Sequence, residues 1–260
     1  MGLEWARLRR HTIWSGDGIP HAGGQPVLLV PGFLAGDDTL GTMTHWLRRT
    51  GHRTRKAGMR LNVDCSESAL ERLVERVEAM CETHGEKVAV IGQSRGGSLA
   101  RVLAVRRPEL VSGIVTLGSP LTNSFAIHPV VNLHVFAVGA LGTLGVRGLF
   151  GRGCRTGDCC TGYWADLEGP FPKGVGFLSI YSRTDGIVAW ESCLDPAAEH
   201  LEVRSSHIGM GLNPDAYAAT AAALERFRTP KRRSKRAPAG KRAKPAASRS
   251  AATGRGRAAA

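Results

Sequence analysis

The run Val88-Ala89-Val90-Ile91-Gly92-Gln93-Ser94-Arg95-Gly96-Gly97 decides the architecture. Four apolar residues in succession, closed by a glycine, read as a strand buried on both faces. Past Ser94 the pattern changes to Ser98-Leu99-Ala100-Arg101-Val102-Leu103-Ala104, small and apolar residues at helical spacing. A serine on such a strand-to-helix turn stands clear of the sheet, and the N–H of the residue after it can face a developing oxyanion. Gly92 and Gly96, with Gln93 between Gly92 and the serine, let the turn close and let helix approach strand without a Cβ clash.

Working outward, an apolar run at 27–30 is stopped by Pro31-Gly32 and reads as another buried strand. Leu40, Met43, Trp46 and Leu47 mark a helix whose acidic start, Asp37-Asp38, suits its dipole. Ser66 and Ser68 are placed to cap a second helix with an apolar face at Leu70, Leu73, Val74, Val77 and Met80. Further strands are expected at 114–117, 176–181 and 201–203, and a closing helix at 214–227. Strands alternating with helices give an α/β fold with a mostly parallel, doubly wound sheet. Ligands bind such sheets beyond the carboxyl ends of the strands.

Charge is unevenly spread over the 260 residues. From Lys231 onward there are eleven Lys or Arg and no Asp or Glu, among Ala, Pro, Gly and Ser. Such a segment buries too little apolar surface to offset its ordering entropy, so 230–260 is expected to be a disordered basic tail. Setting its eleven cations aside from the 35 leaves 24 basic against 22 acidic groups, so +11 of the net +13 belongs to the tail. Two roles stay open for it: contact with polyanions such as nucleic acid or an anionic membrane, and simple solubilisation. The expected organisation is an N-terminal extension at 1–24, a domain at 25–229 with an apolar cap at about 121–174, and the tail.

No apolar signal region is visible near the N-terminus, which points to the cytoplasm, with a membrane-peripheral position open through the tail. Residues 110–146 contain no Asp, Glu, Lys or Arg, yet Ser119-Pro120, Thr122-Asn123-Ser124 and His128-Pro129 interrupt them. The remaining apolar run at 135–146 is too short to span a bilayer and reads as part of the cap. Cys154, Cys159 and Cys160 cluster in Gly-Cys-Arg-Thr-Gly-Asp-Cys-Cys. Their spacing matches no familiar zinc pattern, so a local disulfide or free thiols are expected and no metal is assigned.

A serine nucleophile needs a base, and the base needs an orienting group. Asp185 follows the expected strand at 176–181, and His207 follows the last strand. The order Ser94, Asp185, His207 is the one this architecture uses. Two N–H donors would complete an oxyanion hole: that of Arg95, after the serine, and that of Phe33, in the loop after the first strand. The Arg95 side chain either reaches the site mouth or pairs with a cap carboxylate, and the pairing is expected.

These segments resemble the α/β-hydrolase-fold serine hydrolases, in their minimal form the compact bacterial lipases and esterases. The resemblance rests on Pro-Val-Leu-Leu-Val-Pro-Gly-Phe, Val-Ala-Val-Ile-Gly-Gln-Ser-Arg-Gly-Gly, Val-Thr-Leu-Gly-Ser-Pro, Tyr-Ser-Arg-Thr-Asp-Gly-Ile-Val and Ser-Ser-His-Ile-Gly-Met. It implies cleavage of small-molecule or lipid esters through an acyl-enzyme, with no cofactor. Where many relatives have His-Gly this chain has Pro31-Gly32, and where many have His before the serine it has Gln93. An acyltransferase on the same residues, or an idle binding module tethered by the tail, are the alternatives.

Overall fold

The computed structural model describes residues 2–156 and 159–228; the basic tail expected at 230–260 lies outside them. In chain order the elements are α1 (Gly2–Arg10), α2 (Thr12–Ser15), β1 (Pro26–Val30), α3 (Gly41–Arg49), β2 (Arg53–Lys56) and α4 (Ser66–His84). Then come β3 (Val88–Gln93), α5 (Arg95–Arg106), β4 (Val111–Leu117), α6 (Pro129–Thr143), α7 (Gly153–Thr156) and α8 (Thr161–Glu168). The last elements are β5 (Gly176–Tyr181), β6 (Glu199–Glu202) and α9 (Pro214–Arg226).

The six strands form one sheet in the order β2-β1-β3-β4-β5-β6, every neighbouring pair parallel. The chain leaves β1 towards one edge and returns through β3 towards the other, so the strand order reverses between them. That crevice is where a doubly wound sheet binds ligands. Residues β1, β3 and β4 contribute are all buried.

Alternate side chains sort the core into two layers, because successive Cβ atoms leave a strand on opposite faces. Leu28, Val30, Val88, Val90 and Ile114 pack with Leu70 and Leu73 of α4, Leu99 and Leu103 of α5, and Tyr163 and Leu167 of α8. Val27, Leu29, Ala89, Ile91 and Val115 pack with Met43, Trp46 and Leu47 of α3 and Tyr217 and Leu224 of α9. Residues 2–24 join this second layer: Leu8 is fully buried, and Trp46 Nε1 donates to the Ile13 carbonyl at 2.6 Å.

Three local expectations change. The charged strand β2, Arg-Thr-Arg-Lys, has no apolar signal; only Thr54 is buried, and pairing with β1 creates it. The last strand is Glu199–Glu202 rather than 201–203, an edge strand with little buried surface of its own. Cys65, not Ser66, occupies the N-cap of α4.

The segment between β4 and β5, expected as the cap, carries α6, α7 and α8. Of the fifteen residues of α6 only Gly139 is buried. Leu133, Phe136 and Leu144 are 67%, 59% and 80% exposed. Among the described residues no helix is long and apolar enough to cross a membrane.

Candidate active site

Ser94 sits between β3 and α5 at φ 53°, ψ −127°, a left-handed backbone conformation rarely adopted outside glycine. Its neighbours enforce the turn. A Cβ on Gly92 would lie 2.3 Å from the Gly96 carbonyl oxygen, and one on Gly96 would lie 2.2 Å from that of Val30. Both glycines are therefore required by close backbone approach. The strained serine is further fixed by its N–H, which donates to the Leu117 carbonyl at 2.9 Å.

Asp185 and His207 meet at the carboxyl edge of the sheet. His207 Nδ1 lies 2.7 Å from Asp185 Oδ2, and the two side chains are 8% and 3% exposed. The other carboxylate oxygen, Oδ1, accepts the N–H groups of Ile187 and Val188 at 2.8 and 2.7 Å. The His207 N–H donates to the Asp185 carbonyl at 3.0 Å, so backbone and side chain lock the pair together. A carboxylate on Nδ1 leaves Nε2 as the ring atom able to accept a proton.

Ser94 and His207 line one cavity of about 410 Å³ with Gly32, Leu34, Gln93 and Ile208. Among the described residues Ser94 Oγ makes no hydrogen bond; such contacts commonly tighten only when substrate is bound. Ser94 also borders a second, narrower cavity of about 120 Å³, walled by Phe33, Phe125, Val131, Val135, Phe150 and Trp164. The serine thus borders both cavities, the smaller of them an apolar slot.

Phe33 follows β1, and Arg95 opens α5 immediately after the serine, as the sequence order requires. The Arg95 side chain corrects an expectation. Among the described residues it pairs with no cap carboxylate but donates to Asn62 Oδ1, to the Asp64 carbonyl at 2.6 Å and to Ser66 Oγ at 3.2 Å. Burial draws its pKa below the usual arginine range, against the pull of Tyr163 and Asp64. Arg95 braces the loop before α4.

Two side-chain contacts were not evident from sequence, one of them made by Gln93 of the turn itself. Gln93 Nε2 donates to the His207 carbonyl at 3.1 Å, and Glu4 of α1 accepts the Ser206 hydroxyl at 2.9 Å. Leu34 at φ 57° is the other described non-glycine residue with positive φ. Cys193, near Asp185, is held neutral by burial and that carboxylate, its pKa pushed up to about 12. It is therefore not a competing nucleophile at neutral pH.

The six cysteines are free, one of the two alternatives expected, and Cys65, which the sequence did not group with them, joins Cys154, Cys159 and Cys160 in one cluster.

The fold and this arrangement define the chain as having the α/β-hydrolase fold. A family model described as alpha/beta hydrolase fold matches residues 51–137, which include Ser94 but neither Asp185 nor His207. Over 122 residues the chain is 34% identical to a triacylglycerol lipase of Vibrio cholerae serotype O1. That match spans 41% of this chain and 38% of that protein. The lipase BlEst2 of Bacillus licheniformis, in mature form, shares the fold at a TM-score of 0.58 and 15% identity, over 80% of this chain and 96% of that one. A soluble variant of monoglyceride lipase from Saccharomyces cerevisiae does so at a TM-score of 0.59 and 14% identity, over 83% and 90%.

Proposed function

We propose that this protein is a serine hydrolase of carboxylic esters, acting through an acyl-enzyme. The observation that carries the reading is the buried 2.7 Å contact between Asp185 and His207, with His207 lining the same cavity as the strained Ser94.

In this reading His207 Nε2 takes the Ser94 hydroxyl proton as Oγ attacks the ester carbonyl. Asp185 holds the imidazole by its Nδ1–H and stabilises the imidazolium that forms. The N–H groups of Phe33 and Arg95 receive the oxyanion, and each such donor contributes about 10²–10³ in turnover. His207 then passes its proton to the departing alcohol. Water, activated by the same ring, releases the acid and restores the serine.

The apolar slot beside Ser94 supports an acyl chain as its occupant, and the exposed Leu133 and Phe136 of α6, with Leu144 at its C-cap, support approach to a lipid surface. The relative named triacylglycerol lipase agrees with a lipidic ester.

A fluorophosphonate probe should label the wild type and leave Ser94→Ala unlabelled, with p-nitrophenyl ester turnover lost in parallel. Labelling that persists in the variant refutes the nucleophile. Rates that decline steadily from acetate to octanoate esters refute the acyl slot.

A further inference from the structure

We propose that Cys65, Cys154, Cys159 and Cys160 form a tetrahedral zinc thiolate site that fastens the cap to the body of the domain. Their four Sγ atoms all lie within 4.8 Å of one another. The individual separations include 3.1 Å for Cys154–Cys159, 3.5 Å for Cys65–Cys160, 3.7 Å for Cys159–Cys160 and 4.0 Å for Cys65–Cys159. A tetrahedron with zinc–sulfur bonds of about 2.3 Å has edges of roughly 3.8 Å. The cluster already has that size.

Two isolated disulfides would require two close pairs and no relation between them. The two shortest separations would suit pairing, but Cys159 also approaches Cys160 and Cys65 at 3.7 and 4.0 Å, the mutual closeness a single central cation requires. The ligands also come from separate parts of the chain. Cys65 is the N-cap of α4, and Cys160 is the N-cap of α8. Cys154 lies in α7.

Main-chain donors face two of the four sulfurs. Backbone N–H groups of Glu67 and Ser68 are directed at the Cys65 sulfur, and that of Glu67 also at Cys160. The N-terminus of α4 therefore faces the Cys65 and Cys160 sulfurs, where its dipole favours negative charge. N–H donors to the sulfurs are the usual outer partners of a metal–thiolate site. The four thiols release four protons as Zn²⁺ binds, leaving a net charge of −2, and the Arg95 guanidinium lies close enough to Cys65 and Cys160 to offset part of it.

Four protein sulfurs complete the coordination and leave no position for water or substrate, so the site is structural and takes no part in ester chemistry. Its effect is mechanical. It ties α7 and the start of α8 to α4, and so fixes one wall of the apolar slot, to which Cys154 and Tyr163 contribute.

The full chain, produced with zinc supplied and purified without chelator, should carry about one zinc by elemental analysis, and Cys65→Ser and Cys159→Ser should each lose most of it. Cys81→Ser, outside the cluster, should keep its zinc. Cobalt(II) added to the chelator-stripped wild type should give the intense thiolate charge-transfer and tetrahedral ligand-field bands, which settles the matter even if the serine variants fail to fold. Wild type lacking both zinc and the cobalt spectrum, or an intact mass reduced by paired hydrogens that marks disulfides within the cluster, overturns the proposal. These readouts are independent of esterase activity.

Discussion

Gln93, the residue before Ser94, donates from its side-chain nitrogen to the main-chain carbonyl of His207 at 3.1 Å. The nucleophile turn and the histidine loop, far apart in sequence, are thereby held in register by a buried amide. Gln93→Ala leaves that carbonyl without its partner, a cost of about 1–3 kcal/mol. We expect kcat to fall on the order of tenfold with KM nearly unchanged, measured on a short p-nitrophenyl ester. A fall in thermal stability with unchanged kcat would assign Gln93 to folding alone.

Two buried aspartates near the end of the sheet serve different ends. Asp185 contacts His207, whereas Asp195 pairs with Arg101 at 2.5 Å, both side chains almost fully buried. Asp185→Asn can retain the N–H contacts at Oδ1 but loses the carboxylate that orients the ring, and should cost about 10⁴ in kcat with little change in melting temperature. Asp195→Ala leaves a buried guanidinium uncompensated and should cost about 3–5 kcal/mol of stability. Denaturant melts beside steady-state kinetics separate the two.

Gly118 sits at φ 53° against the same pair. A Cβ there would lie 2.5 Å from Met210 Cε, 2.8 Å from Asp185 Oδ2 and 3.1 Å from His207 Nδ1. Gly118→Ala should therefore displace the ring and reduce kcat/KM by at least about 10²-fold, since a misplacement near 1 Å costs that much. Fluorophosphonate labelling rates measure it directly.

His52 gives a pH dependence unconnected with the site. Burial lowers its pKa from 6.5 to about 4, while its Nδ1 donates to the Leu47 carbonyl at 3.1 Å. The folded state thus binds fewer protons than the unfolded state between these values. Stability is full above pH 6.5 and is lost as pH falls towards 4, by roughly 3 kcal/mol at most. His52→Asn should flatten chemical-denaturation stability over that interval by a similar amount, and an unchanged slope would contradict the assignment.

Much of the architecture was legible because local rules and the fold agree. The apolar runs at 27–30 and 88–91 lie in strands buried on both faces, and the closing helix expected at 214–227 is Pro214–Arg226. The elbow was legible for a steric reason: only glycine fits where Gly92 and Gly96 meet backbone oxygens. Strand β2 was hidden because its residues are charged and its existence depends on the edge offered by β1. Helix α1 was hidden among arginines, although Leu8 anchors it in the core.

The chain by itself determined the apolar strands of the sheet centre and where Ser94, Asp185 and His207 fall along it, because periodicity and turn chemistry act over a few neighbouring residues. Contacts between distant segments followed only from the folded packing. Cys65 reaching the other three cysteines, Gln93 holding the His207 loop and Arg95 turning to Asn62 rather than a cap acid are all of that kind. No local signal encodes them, since each depends on how two layers of helices settle on a twisted sheet.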